Sequence, residues 1–365
     1  MLRRLILGSL VLVCGLLALL ALALLLTPAP IASQPFDPGP RPALGPLSDS
    51  WSQTCVVYAR REVPAPEELE VDAQGRVYAG THEGKVVRLS AGPAASFVLE
   101  DLAKPGGRPN GITLDGAGRI LASQGYGRTG DRIWPDGRVE PLAWLDGGDS
   151  AVGRDGTVYF SAPQPWRRTG HVGVDFGLLM LESRPDGELR AWRPDTGRVE
   201  VLARGLLIPD GVALSANEDF VAVGEVSGFR VTRYWLRGPK AGTADVLIGS
   251  LPGIPDGLAS DGEGTFYVAL PVRRGALADA LHRSAFAKDQ VAKLLARLGP
   301  RLLRDEPTDR TGLGVVLAVD ESGRVTRTYL EPRGLVGAAI TTAVPHGDGL
   351  WIGSLLGHGV ARCAR

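Results

Sequence analysis

The sequence predicts an all-β protein: a six-bladed β-propeller with a helical insertion in blade five, preceded by an N-terminal transmembrane helix. Three observations carry this reading. One short phrase recurs five times, with a looser sixth copy. The copies lie mostly one blade-length apart. An uncharged apolar run opens the chain.

The clearest copy begins at Asp256 and reads DGLASDGEGTFYVA. The copies opening at Glu67 (EELEVDAQGRVYAG) and Asn110 (NGITLDGAGRILAS) keep its length and rhythm. The copy opening at Asp210 has Glu218 where the others have glycine, the one at Asp149 is a residue shorter, and the one at Thr341 closes the set. Each is an opening residue, a short alternating strand, a Gly/Asp turn and a second apolar strand, which is a β-hairpin. A four-stranded propeller blade takes roughly 40–45 residues. The openings follow that spacing, except where a loop at Pro163–Phe176 and an insertion at Gly275–Arg304 lengthen the third and fifth units.

Composition agrees. Of 365 residues, 44% are hydrophobic and 22% charged, enough for a sizeable globular core. Forty basic residues balance forty acidic ones without a run of like charge, which excludes nucleic acid as the main partner. The 49 glycines and 27 prolines suit many tight turns.

Taken in order, Leu5–Leu26 is almost wholly apolar and follows Arg3 and Arg4. About 20 such residues span a bilayer, whereas the apolar part of a cleaved signal takes only about 7–15. The run therefore predicts an uncleaved anchor over residues 1–26. Arg3 and Arg4 stay in the cytoplasm, and the propeller lies on the extracytoplasmic side, periplasmic or lumenal. Cleavage near Ala32, with secretion, is the alternative. Residues 27–50 form a Pro/Gly-rich linker. The propeller occupies 51–365, and a leading strand at Thr54–Tyr58 completes its last blade. Outer strands are expected at Lys85–Leu89, Leu178–Glu182, Phe229–Leu236, Val315–Asp320 and Val325–Leu330. Within 275–304, Leu277, Leu281, Phe286, Val291, Leu294, Leu295 and Leu298 recur at helical steps among Lys and Arg. Such a helix lies on a membrane surface, lids the channel mouth, or packs on a blade edge.

Cys14 lies in the apolar run; Cys55 and Cys363 flank the propeller. The flanking pair reads either as two separate buried thiols or as a disulfide tying the ends, which a closed ring brings together. A bridge needs an oxidising compartment. It is worth ~4–5 kcal/mol in the chain-entropy picture.

The opening residues share one position in every blade, so Glu67, Asn110, Asp149, Asp210, Asp256 and Thr341 are expected to converge at one mouth of the channel. Four are acids, and they cannot all stay ionised without a cation. A hard cation with oxygen ligands, Ca²⁺, resolves this, held by Glu67, Asp149, Asp210 and Asp256 with Asn110 beside them. Zinc is excluded because no His or Cys stands at these positions. Plain turns at Pro209–Gly211 and Pro255–Gly257 explain one Asp-Gly but not an acid recurring in register.

The stretch Ile208–Leu270 resembles the strictosidine synthase-like proteins. The likeness rests on IPDGVALS from Ile208, FRVTRYWLRGPKAG from Phe229 and LPGIPDG from Leu251, and on GDGLWIGSL from Gly347. It covers roughly residues 55–363. With the N-terminal run it is similar to the adipocyte plasma membrane-associated subgroup. The wider superfamily holds gluconolactonases, regucalcins and paraoxonases, six-bladed Ca²⁺-dependent lactonases and esterases. The resemblance implies that Glu67, Asp149, Asp210 and Asp256 are the metal ligands, although two of the family's ligand asparagines are aspartates here. It also implies a Cys55–Cys363 disulfide, as in paraoxonases. The glutamate that forms strictosidine falls on or beside Thr341, which argues against that condensation. The paraoxonase histidine pair falls near Asn110 and Gly125, so no imidazole base is evident; His171, in the third unit's loop, is the substitute. The function implied is hydrolysis of a lactone or small ester. Asn110, Asp149 and Asp256 take the catalytic roles and His171 and Thr341 contact substrate. The rivals are a non-catalytic, metal-stabilised binding propeller and, last, a carbon–nitrogen lyase of the strictosidine synthase type.

Overall fold

A computed structural model of the chain describes residues 14–15, 22, 25–42, 51–92, 96–125, 129–163, 169–303, 314–331, 334 and 339–365. These fall into two compact units, one of residues 38–165, 184–275 and 308–365, the other of residues 1–37, 166–183 and 276–307. Most of the expected Leu5–Leu26 anchor lies outside the described residues. Among those described, no helix is long and apolar enough to cross a membrane.

The larger unit is the propeller. Its six four-stranded antiparallel sheets each run outward from an innermost strand. Five of the six take their strands in sequence order from the centre; the sixth borrows one from the start of the chain. The innermost strands are β2 (Leu69–Val71), β6 (Pro109–Leu114), β10 (Ser150–Val152), β14 (Pro209–Leu214), β19 (Leu258–Ser260) and β24 (Ile340–His346). Each touches the next, and β24 touches β2, so the ring is closed. Blades pack face to face through apolar side chains. Leu69, Val77, Val87 and Leu89 of blade one, for example, meet Val344, Trp351 and Val360 of blade six.

The seam lies in blade six. Its outermost strand is β1 (Val56–Tyr58), paired antiparallel with β26 (Val360–Ala364) in the register Val57 to Ala361. Beside it Cys55 and Cys363 form a disulfide across 308 residues. This is the bridge that ring closure and the paraoxonase likeness both suggested.

The repeated X-Gly has a physical cause that turn chemistry does not supply. Pro209, Asp210 and Gly211 lie within β14, at a register shift, and form no hairpin turn. A Cβ on Gly211 would meet the Asp256 carbonyl oxygen at 2.3 Å. One on Gly257 would meet the Thr341 carbonyl oxygen at 2.5 Å, and one on Gly111 the Gly148 oxygen at 2.7 Å. Each glycine makes room for the opening backbone of the next blade.

The smaller unit is helical. It contains α1 (Val172–Glu182), α2 (Ala276–His282) and α3 (Ala285–Leu302). Here the sequence reading needs correction: Leu178–Glu182, expected as a strand, is the end of α1. The run from Val172 to Leu181 is apolar at almost every position, so it shows neither a period of 2 nor one of 3.6. Capping decides instead. His171 Nδ1 accepts the Val174 N–H, and Asp175 sits in the first turn. Two glycines let α1 and α3 approach: a Cβ on Gly177 would meet Leu295 at 2.7 Å, and one on Gly299 would meet Val174 at 2.7 Å. Val174, Leu178 and Ala292 form the core with Ile31 from the N-terminal segment. That segment is tied down. Gln34 N donates to Glu182 O, Phe36 N to His282 O, and the Lys288 ammonium to Gln34 O. Residues 31–37, read as structureless linker, therefore belong to this unit.

Candidate functional site: the acidic centre of the propeller

Strand order places the opening residues at the N-terminal ends of the inner strands, around one mouth of the channel. Thr341 donates its hydroxyl to the Glu67 carbonyl oxygen, stitching the last blade to the first. Asp210 and Asp256 share a side-chain hydrogen bond, and the Glu67 carboxylate acts electrostatically on both. Asp149 is gripped: Ser150 N donates to its Oδ1 at 2.7 Å and Val212 N, from the next blade, to its Oδ2 at 3.0 Å.

The structure adds three residues the sequence reading missed. Glu68 is buried beside Gly257, bonded to the Thr342 side chain and to Leu69 N. Glu70 lies farther down the same strand and feels Asp149. Arg108 places its Nη2 2.7 Å from Glu67 Oε2. Their signals were present. Glu68 and Glu70 are two apart on an innermost strand and so share a face. Arg108 precedes Pro109 where the matching positions hold Ala65, Ile208 and Ile254, so it is the charged exception in the repeat.

Electrostatically the centre is overloaded. Burial raises the proton affinity of all six carboxylates. Asp149 is pushed up to about 8 and Glu70 to about 7, in each case by burial first. Glu68 and Asp256 rise well above the usual range, through burial and then their neighbours Asp149 and Asp210 respectively. Glu67 and Asp210 rise too, again by burial. Arg108 is the countercharge seen among them, and its fit is poor. Glu67 Oε2 and Arg108 Nε and Nη2 make no directed hydrogen bond among the described residues, and neither does Asn110 Oδ1. A cavity of about 310 Å³ continues from Glu68 and Asp149 toward the hairpin-turn end of the channel. Thr113 and Ser150 line it; Arg154 and Glu218 stand at its end.

The remaining sequence candidates fall as follows. Asn110 packs against Gly125, whose Cβ would lie 2.7 Å from the amide nitrogen, so the two positions where paraoxonases carry histidine are neighbours here without an imidazole. His171 belongs to the helical unit, where it caps α1 and its Nε2 lies 3.3 Å from Leu303 O. That is a structural role.

The sequence profile described as strictosidine synthase matches residues 152–239, and that described as strictosidine synthase-like, N-terminal, matches residues 61–89. The adipocyte plasma membrane-associated protein of Gallus gallus is 28% identical over 319 residues, 80% of this chain and 74% of its own. Strictosidine synthase-like protein 6 of Arabidopsis thaliana is 27% identical over 339 residues, 88% of this chain and 87% of its own. The chain is similar to the strictosidine synthase-like family, in both matched segments and along most of its length. Its fold is shared by a gluconolactonase of Xanthomonas campestris, with a TM-score of 0.58 at 15% identity over 93% of this chain and 99% of the other. A calcium-binding protein, regucalcin, of Agrobacterium tumefaciens gives 0.53 at 16% identity over 84% and 93%.

Whether a cation fits can be asked of the residues alone. The donors are all hard oxygens, and two of them, on Glu67 and Asn110, are orphaned. The carboxylates lack sufficient countercharge. These features suit Ca²⁺ rather than a softer metal. Among the described residues no three acidic, histidine or cysteine side chains stand in ligating array. The donor chemistry fits; the closing of ligands on an ion is left to binding.

Proposed function

We propose that this strictosidine synthase-like protein hydrolyses lactones or small esters at the acidic mouth of its propeller, using Ca²⁺. The carrying observation is the set of buried carboxylates with raised proton affinity and one ill-fitting arginine. Glu67, Asp210 and Asp256 would hold the ion, with Asp149 and Asn110 Oδ1 adjoining. The ion supplies Lewis-acid polarisation of a substrate carbonyl. Asn110 Nδ2 and Arg108 donate hydrogen bonds to an oxygen that gains charge. Asp256, the acid most burdened by its neighbours, takes the proton from the attacking water. Asp149 cannot swing, because two backbone amides hold it, so it positions rather than reacts. The relatives' fold and the gluconolactonase likeness support this substrate class, and the relatives named for the plasma membrane support a membrane-anchored, exported protein tethered through Leu5–Leu26.

The test is hydrolysis of a lactone and aryl ester panel by the full chain with Ca²⁺ and then with EDTA. Activity lost to EDTA and restored by Ca²⁺ is the expected result. Asp256→Ala should lower turnover by roughly 10²–10⁴-fold with the fold intact; unchanged turnover would remove the carboxylates from the chemistry. One observation favours a second reading, a non-catalytic binding propeller pinned by the cation: among the described residues no histidine is a partner of these acids. Calcium-dependent melting without turnover on any ester would select it. A carbon–nitrogen lyase lacks its glutamate, since Thr341 and Thr342 occupy that place and are both spent on bonds to blade one.

A further inference from the structure

The chain's large exposed apolar side chains are not spread evenly. On the propeller they are single valines of outer strands, such as Val98, Val139, Val199 and Val246. On the helical unit they are Phe286, Leu294, Leu298 and Leu302 of α3, with Leu277 of α2, Leu303 beyond, and Leu22, Leu25 and Leu26 of the N-terminal apolar run. Phe286 is 64% exposed, Leu302 74% and Leu277 75%. On α3 they stand four or eight residues apart, which makes one slowly winding stripe. The opposite side of α3 is spent on the core, with Lys288 and Ala292 fully buried. Burying Leu and Phe side chains is favourable, so such a stripe exposed to water calls for a partner.

Charge narrows the choice. Arg297 and Arg301 are exposed beside Leu294, Leu298 and Leu302, and no described acid pairs with either. Nearby Arg283 is paired with Asp37. The acids of α2 and α3 turn away: Asp279 is buried and Asp289 half-buried.

Chain length narrows it further. Gln34 and Phe36 are bonded to α3 and α2. Only eight Cα–Cα steps separate Gln34 from Leu26, where the apolar run Leu5–Leu26 ends. Fully extended they reach at most about 28 Å. A membrane that held the apolar run would therefore hold Gln34, and the α3 helix bonded to it, within that distance of its surface.

We infer that the exposed face of α3, built on Phe286, Leu294, Leu298 and Leu302 with Arg297 and Arg301, docks on the surface of an anionic lipid bilayer. The leucines and Phe286 enter the headgroup–acyl boundary and the two guanidiniums meet lipid phosphates. The tether keeps the chain near the membrane and this face fixes which side of the helical unit meets it.

The test uses the full chain with Cys14→Ser, reconstituted in nanodiscs of phosphatidylcholine alone or with phosphatidylglycerol. An environment-sensitive fluorophore is attached at L298C or, as control, at V199C on an outer strand. Nitroxide-bearing lipid should quench the label at 298 in anionic discs and leave the label at 199 bright. R297Q should reduce the docked-to-free ratio roughly five-fold and R297Q/R301Q roughly 25-fold. Both side chains are exposed, so an unchanged melting temperature accompanies the loss. Equal quenching with and without anionic lipid overturns the proposal, as does a label at 298 that stays as bright as at 199. A blue shift at 298 without lipid quenching puts a protein surface on the face and overturns it too.

Discussion

The propeller centre and the helical unit both bury charge, by opposite means. In the propeller, six carboxylates crowd the centre: four are opening residues that ring symmetry brings together, and Glu68 and Glu70 add two more from blade one. In the helical unit the Lys288 ammonium is fully buried and satisfied by the Gln34 carbonyl oxygen at 2.6 Å. Burial lowers its affinity for the proton to about 8. A buried ammonium beside a carbonyl is settled by one bond, whereas clustered carboxylates are left with raised proton affinity.

The widest separation between the two regions should come from pH. Asp149 keeps its proton up to about 8 when folded, against 3.8 as a free side chain. Its contribution is fully favourable below the unfolded value and is lost as pH rises toward 8. In EDTA, urea midpoints should therefore fall from pH 5 to pH 9. The total loss should be several kcal/mol, at about 1.4 kcal/mol for each tenfold difference in proton affinity between folded and unfolded chains. Ca²⁺ at about 100 times its Kd should restore about 2.7 kcal/mol at pH 8. A midpoint that is flat with pH, or indifferent to Ca²⁺, would break the comparison.

Reduction should separate the regions next. The disulfide belongs to the propeller, and the helical unit's described residues hold none. Dithiothreitol, or Cys363→Ser, should cost the propeller ~2–5 kcal/mol in a denaturant titration. Amide exchange along α3 should stay as it was.

Lys288 gives the reverse pH sign on a smaller scale. The unfolded chain holds this proton to 10.5 and the folded one to about 8. The penalty is complete below 8 and disappears by 10.5. Exchange protection in α3 should rise over that window, by at most about 3 kcal/mol. Lys288→Met should abolish the rise. The smallest effect is expected on the blade exteriors. Arg88 and Glu100 pair at 2.7 Å on neighbouring outer strands, with Glu100 half-exposed. Glu100→Gln should move the urea midpoint by roughly 0.2–1 kcal/mol, and less in high salt.

Much of the ring was legible because its constraint is local and repeated. The X-Gly phrase carries a steric requirement, room for the next blade's backbone, and that requirement leaves the same mark in most blades. The seam strand was legible from its apolar run, and the bridge from the placing of Cys55 and Cys363. Legibility failed where residues have no register. Val172–Leu181 is apolar but for Asp175, so its pattern does not separate strand from helix; the His171 cap and the packing of α1 on α3 through Gly177 and Gly299 decide. Arg108 and Glu68 were missed for a different reason. Each is a departure from the repeat rather than an instance of it, and reading for sameness passes over the odd residue. His171, chosen for its chemistry, also caps a helix, a role that its place in the sequence did not announce.

The closed ring has a consequence for the order of events in synthesis. β1 is the outermost strand of the last blade but among the first segments made. Its partner β26 emerges some 300 residues later, which at roughly 5–20 residues per second is a wait of about 15–60 s. During that interval blades one to five can zip in turn, while Val56–Tyr58 trails as an unpaired edge and Cys55 as a lone thiol. The nascent protein is an open horseshoe, and the cell compartment receiving it must keep that edge from pairing with a stranger until the chain's own last strand arrives.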